Sequence, residues 1–256
     1  MGYDYELRIT NNYLREIVMI FLCFSSKDRN VFAESIYYHL SNFGLNSWYD
    51  RKEILMGDNR EYKNFIEGVE SCEYSVIVLS PNSIESICAN EEIELIHKRF
   101  LKGKTYVFPV FFNILAADIP DKYSWMKKLV YKELDNTQDS RGLCNHIICK
   151  VLKDKLEHCP YPSLEKLRNN CKDKFLSTLL NKYFEIDGLN YNARISMLYT
   201  GTIYISSRVD TKDLPLYFSK GSNLLFDETK LNLKMDLRET RIFETLFALL
   251  VNDYYC

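Results

Sequence analysis

Ile17 to Phe24 reads IVMIFLCF and ends abruptly at Ser25-Ser26-Lys27-Asp28. An apolar run without alternation, rich in β-branched and aromatic residues, predicts a strand buried on both faces, as in parallel sheets. It is far too short to cross a bilayer, which takes ~20 residues. Working outward, Val31, Ile36 and Leu40 mark one face of a helix that stops at Gly44. Leu45–Tyr49 is a short second strand. The turn-rich stretch Asp50–Asp58 follows, then a helix with Tyr62, Phe65, Ile66 and Val69 on its inner face. Tyr74–Leu79 (YSVIVL) is a third buried strand, ending at Ser80-Pro81-Asn82-Ser83. Next comes a helix through Glu91–Leu101, with Ile93, Ile96 and Phe100 inside, then a fourth strand, Thr105–Phe112. Pro109 implies an unpaired ladder position or a bulge there. A weaker fifth strand near Leu129–Tyr131 and a helix from Gly142 to Leu156 complete the alternation.

Strands alternating with helices over this length predict an α/β fold with a mostly parallel, doubly wound sheet. The expected architecture is flavodoxin-like and five-stranded, with right-handed crossovers placing helices on both faces. Such sheets bind ligands beyond the carboxyl ends of their strands, where strand order reverses. In flavodoxin-like order that crevice lies between the first and third strands, whose tips here are rich in hydroxyls and turn residues. Glu91, Glu92 and Glu94 open the helix after the third strand, so a carboxylate beside a polar crevice is expected. No G-x-G-x-x-G follows the first strand and no G-x-x-x-x-G-K-[ST] occurs, which disfavours dinucleotide oxidoreductases and P-loop NTPases. The absence of a G-x-S-x-G elbow argues against an α/β-hydrolase.

The 256 residues suffice for one large domain or two modest ones, and 46% hydrophobic content supports a core without disulfides or metals. A formal net charge of -2 makes no broad electrostatic case for nucleic acid or an anionic membrane, and neither is expected as a partner. Met1–Asn12 is polar with both charge signs, so no secretory leader is read there. The eight Cys are scattered without a C-x-x-C pair, which fits reduced thiols in a cytoplasmic protein. Cys144, His146, Cys149, His158 and Cys159 cluster in sequence, but their spacing fits no common zinc pattern. Leu143, Ile147, Val151 and Leu152 recur there at helical intervals, and no metal site is expected.

Three stretches together resemble the Toll/interleukin-1 receptor (TIR) domain family. IFLCFSSKD (Ile20–Asp28) is similar to its first motif, and WYDRKEILMGD (Trp48–Asp58) to its second, the BB loop. SPNSIESICANEE (Ser80–Glu92) is similar to the third, S-x-x-S-x-x-S-x-W-C-x-x-E. The resemblance covers Ile17 to roughly Leu156 and points to the bacterial, NAD-cleaving type of TIR protein. It implies an NAD glycohydrolase or ADP-ribosyl cyclase that breaks the nicotinamide–ribose bond with the Glu closing the third motif. It also implies NAD as substrate, no cofactor, self-association through the BB loop Asp50–Asp58, and a setting in Thoeris-like anti-phage defence with a downstream effector answering a nucleotide product. A non-enzymatic adaptor that works by TIR–TIR assembly is the competing class.

Aligned without gaps, the third motif matches Ser80, Ser83 and Ser86 and selects Glu92. A slide of one residue loses those matches and selects Glu91. Glu92 is preferred because it precedes apolar Ile93 and lies one turn before Ile96; neighbours on a helix point ~100° apart, so one of the two faces the crevice. The bland alternative is that these are first-turn carboxylates complementing the helix dipole. Cys88 stands where the family usually has Trp. Phe24 is a candidate to stack on a base or nicotinamide ring, though a strand-end Phe also serves a core. Ser25, Ser80 and Ser83 are candidates to bind ribose or phosphate, or to cap turns. Lys27 is a candidate for the pyrophosphate; Trp48 and Asp50 belong to the loop motif, where Asp50 also suits a turn cap.

The TIR region is expected over residues 1–157, with a short N-terminal extension, and an accessory domain of no recognised family over 158–256. His158–Ser163 carries two Pro and reads as a linker. Leu164–Phe184 reads as helix, Asn192–Ser207 as a hairpin turning at Thr200-Gly201-Thr202, and Leu214–Phe218 and Leu231–Met235 as further strands. Arg238–Val251 reads as a closing helix, making this region a smaller α+β unit.

Overall fold

The computed structural model describes residues 19–135, 140–156, 163–209 and 237–255. Five parallel strands run β1 (Met19–Cys23), β2 (Asn46–Trp48), β3 (Tyr74–Leu79), β4 (Tyr106–Phe112) and β5 (Lys132–Leu134). Their spatial order is β2-β1-β3-β4-β5, the flavodoxin-like order, so the reversal falls between β1 and β3. Ile17 and Val18, expected within β1, lie outside the described residues. The fifth strand sits slightly later than the expected Leu129–Tyr131. Pro109 faces Ile77 in regular register, while β5 pairs with β4 only from Val110 onward, so no bulge is needed.

Every residue of β3 is buried, which accounts for its unbroken apolar sequence. On one face Phe21, Cys23, Ile77, Leu79 and Phe111 form a core with Val69, Ile93 and Ile96 from two helices, Tyr62–Glu70 and Ile87–Leu101. On the other, Phe32 stacks on Phe112 at 4.4 Å, beside the buried Ile36 and Leu40 of the helix Glu34–Phe43.

The helix Tyr62–Glu70 departs in part from its expected inner face. It is wound in the wider π manner, and its buried residues are Asn64, Gly68 and Val69, whereas Tyr62 and Ile66 are exposed. Val69 is buried as expected and Phe65 half-buried, so the wider winding rotates the inner face toward Asn64 and Gly68 and keeps only part of the expected one. Gly68 is needed for close approach: a Cβ there would lie 2.8 Å from Phe21 Cε2 and 3.1 Å from Trp48 Cε2.

The chain divides into two compact units inside the helix Ser140–Leu156, one spanning Ile17–Cys144 and the other containing Asn145–Cys256. In the second unit the described elements are helices: Leu164–Asn170, Lys174–Glu185, Tyr191–Ser206 and Leu237–Tyr255, with the end of Ser140–Leu156. The expected long helix after Ser163 is thus two helices, broken before Asp173, which caps the second. The expected hairpin is corrected to the helix Tyr191–Ser206. Its hydroxyls, which suggested strand and turn, bond back one turn: Ser196 to the Asn192 carbonyl, Thr200 to Ser196 and Thr202 to Leu198. Gly201 makes no turn; it lets the helix approach Phe247, whose Cζ would lie 2.5 Å from an added Cβ. Residues 158–162 of the expected linker, both further strands, and His158 and Cys159 lie outside the described residues. Among the described residues no helix is long and apolar enough to cross a membrane.

Candidate active site

Above the β1/β3 junction lies an open hollow of about 650 Å³, lined by residues of the β1 tip, the β2 loop and the starts of two helices. Buried polar ties join the strand tips and cap the helices that follow. Asp28, 3% exposed, accepts from the Ser80 hydroxyl and from Asn82 Nδ2 at 2.6 Å, pinning the β1 tip to the β3 tip. Ser80 and Ser83 cap the short helix Pro81–Glu85 reciprocally, with backbone N–H to hydroxyl distances of 2.7 and 3.0 Å. Ser86 then caps the helix Ile87–Leu101 by accepting from the Ala89 N–H at 3.3 Å. This sequence of caps aims the first turn of that helix at the hollow.

Glu92 reaches the hollow from the second turn of this helix and is 8% exposed. Its Oε1 accepts from Asn64 Nδ2 at 3.0 Å. Burial pushes its carboxyl from 4.5 up to about 8; a hydrogen bond from the Cys23 thiol opposes this rise, and the nearby Asp50 charge adds to it. The Cys23 thiol, fully buried, is itself raised by burial and then by the charge of Glu92. Glu91, one residue earlier, points away. It is exposed and pairs with Arg60 Nη2 at 3.2 Å, while Arg60 Nη1 donates to Cys88 Sγ at 2.7 Å.

Across the hollow Arg29 forms a two-pronged ion pair with Asp50, both contacts at 2.6 Å. Its guanidinium lies 5.3 Å from the Phe24 ring and 5.6 Å from the Tyr49 ring, a cation–π arrangement. Asp50 raises the Arg29 pKa, so this cation is permanent. Asp50 also accepts from the Arg51 N–H at 2.7 Å. Arg51 itself has no ion pair among the described residues.

Of the residues singled out in the sequence, Glu92, Phe24, Asp50 and Cys88 line the hollow together. Ser25, Ser80 and Ser83 do not. They are buried, and their hydroxyls serve caps, Ser25 accepting from the Lys27 N–H at 3.4 Å. Lys27 is exposed, 3.9 Å from Glu85, and is not part of the lining. Trp48 is corrected to a core residue, 4% exposed and stacked on Phe21 at 5.1 Å. Sequence reasoning missed Arg29, Arg60 and Asn64. The arginines sit just outside the quoted motifs with no periodic signal, and Asn64 emerges only once the π winding is known.

Residues 20–148 match the family model described as TIR domain. The chain belongs to the TIR-domain family. It is similar to the NAD(+) hydrolase TcpA of a Theionarchaea archaeon, 25% identical over 39% of this chain and 30% of that protein. It is also similar to the 2' cyclic ADP-D-ribose synthase AbTIR of Acinetobacter baumannii, at 26% over 40% of this chain and 38% of that one. The corresponding synthase BtTIR of Bacteroides thetaiotaomicron is 22% identical over 39% of this chain and 34% of that protein. The chain thus spans about a third of the length of these curated relatives.

Proposed function

We propose that the hollow binds NAD and cleaves its nicotinamide–ribose bond, with Glu92 as the catalytic carboxylate. One observation carries this reading: a desolvated carboxyl at the switch point of the sheet, held by Asn64 and facing open space. Nicotinamide leaves a cationic pyridinium as a neutral base, taking the electron pair of the C–N bond, so no acid must protonate it. The ribose left behind is oxocarbenium-like, as in glycoside cleavage. An ionised Glu92 in a dry floor stabilises that cation far better than an exposed one. Water attack yields ADP-ribose and one proton; attack by the substrate's own adenine or a ribose hydroxyl yields a cyclic isomer. The chemistry needs no cofactor beyond the substrate.

The lining supports a dinucleotide in two further ways. Arg29, Arg51 and Arg60 all line the hollow, a set of guanidinium groups that suits a diphosphate. Phe24 offers a ring at the β1 tip for stacking. Glu91 is assigned to holding Arg60. The second motif supports self-association: Leu55 and Met56 are 71% and 107% exposed on a turn closed by the Leu55 N–H to Asp58 bond at 2.8 Å. Assembly through this loop is compatible with catalysis, and we place the activity in anti-phage signalling on the resemblance alone. Incubation with NAD at high protein concentration, resolved by chromatography and mass, tests the reading. Free nicotinamide is expected, with ADP-ribose or a species lighter by one water. Glu92→Ala is expected to be silent and Glu91→Ala active; the reverse pattern would overturn the assignment.

A further inference from the structure

An amide carries a donor and an acceptor, and Asn64 uses one of them. Its Nδ2 donates to Glu92 Oε1 at 3.0 Å. Its Oδ1 is buried and has no hydrogen-bond partner among the described residues, although Asn64 is 6% exposed and lines the hollow. A buried acceptor left empty destabilises the folded chain, and a site tolerates it where a ligand supplies the donor. Once Glu92 is ionised, the form the proposed chemistry uses, it presents only acceptors to this amide, and the Cys23 thiol is directed to the Ala89 carbonyl and to Glu92. The missing donor must come from whatever occupies the hollow.

We infer that Asn64 is a substrate-positioning residue whose Oδ1 accepts a hydrogen bond from a hydroxyl of the sugar beside the bond that breaks. This rests on the NAD reading and deepens it. The side chain holding the carboxylate would also hold the ribose, so sugar and catalytic group are registered by one planar amide. The chemistry specified is a polyol carrying a donor within reach of the Glu92 carboxyl. A sugar lacking that hydroxyl leaves Oδ1 unpaired and is discriminated against.

The test compares NAD with its two analogues that lack the 2- or the 3-hydroxyl on the nicotinamide-bearing ribose. Cleavage is followed as nicotinamide release by the full chain. The wild type is expected to prefer NAD over at least one analogue, and Asn64→Ala to shrink that preference by about tenfold. Asn64→Asp, nearly isosteric and retaining an acceptor, is expected to keep the preference. It adds a negative charge to a floor that already holds Glu92 and Cys23 and faces Asp50, Arg60 and Glu91, so its activity profile should move to higher pH. An equal loss on all three dinucleotides in Asn64→Ala would mean that the side chain only holds Glu92, and would overturn the inference. So would loss of the preference in Asn64→Asp. A wild type that cleaves none of them overturns the enzymatic reading itself, a distinguishable result.

Discussion

The floor and the rim of the hollow handle charge in opposite ways. At the rim, Glu91, Arg60 and Arg51 are exposed, and the pair between Glu91 and Arg60 is of the solvent-screened kind that contributes ~0–1 kcal/mol. On the floor Glu92 has no ion pair among the described residues; an amide and a thiol hold it, and burial keeps its carboxyl up at about 8. Two adjacent glutamates on one helix therefore differ by environment alone. A carboxylate from which water and a counter-ion are withheld is thereby marked as the candidate for catalysis.

The largest effect that would sharpen this contrast is on turnover. Glu92→Gln should lower nicotinamide release by ~10³-fold or more, whereas Glu91→Gln should stay within ~10-fold of the wild type. Comparable losses from the two would erase the distinction between floor and rim. At the rim itself, Arg60→Ala should raise KM for NAD by ~10-fold with kcat little changed, as for a group that binds a diphosphate equally in ground and transition states. A fall in kcat with KM unchanged would instead move Arg60 to the reacting centre. The smallest effect is on stability. A carboxyl raised from 4.5 unfolded to about 8 folded costs the folded state nothing below the lower value; the cost grows as pH rises between them and is full above 8. Glu92→Gln removes that cost, which accumulates at ~1.4 kcal/mol per pH unit between the two values. The variant should therefore be more stable than the wild type at pH 9 by a few kcal/mol. Equal denaturation midpoints at pH 9 would show that the floor is wetter than described.

The β1 and β3 strands are legible in sequence because burial on both faces leaves an unbroken apolar run, and the strand order follows from their alternation with helices. Glu92 is legible from its place beside Ile93 and one turn before Ile96. Trp48, Ser80 and Ser83 belong to the family motifs yet lie in the core or in caps, because a cap and a ligand contact draw on the same residue types. Asn64 is hidden by the π winding, which turns a different side of its helix inward. The helix Tyr191–Ser206 is hidden by its composition: apolar and β-branched residues lie all around it, so no single face announces the period. Packing of Gly201 against Phe247 decides a conformation that local propensity leaves open.

The most direct measurement is the pH profile of kcat/KM for nicotinamide release, taken from pH 6 to 9 on the wild type and on Glu92→Gln. Loss of the Glu92 proton should make the wild type rise with pH and level off above about 8, while the variant stays flat near background throughout. A variant that tracks the wild-type curve would mean that the buried acid takes no part in breaking the bond.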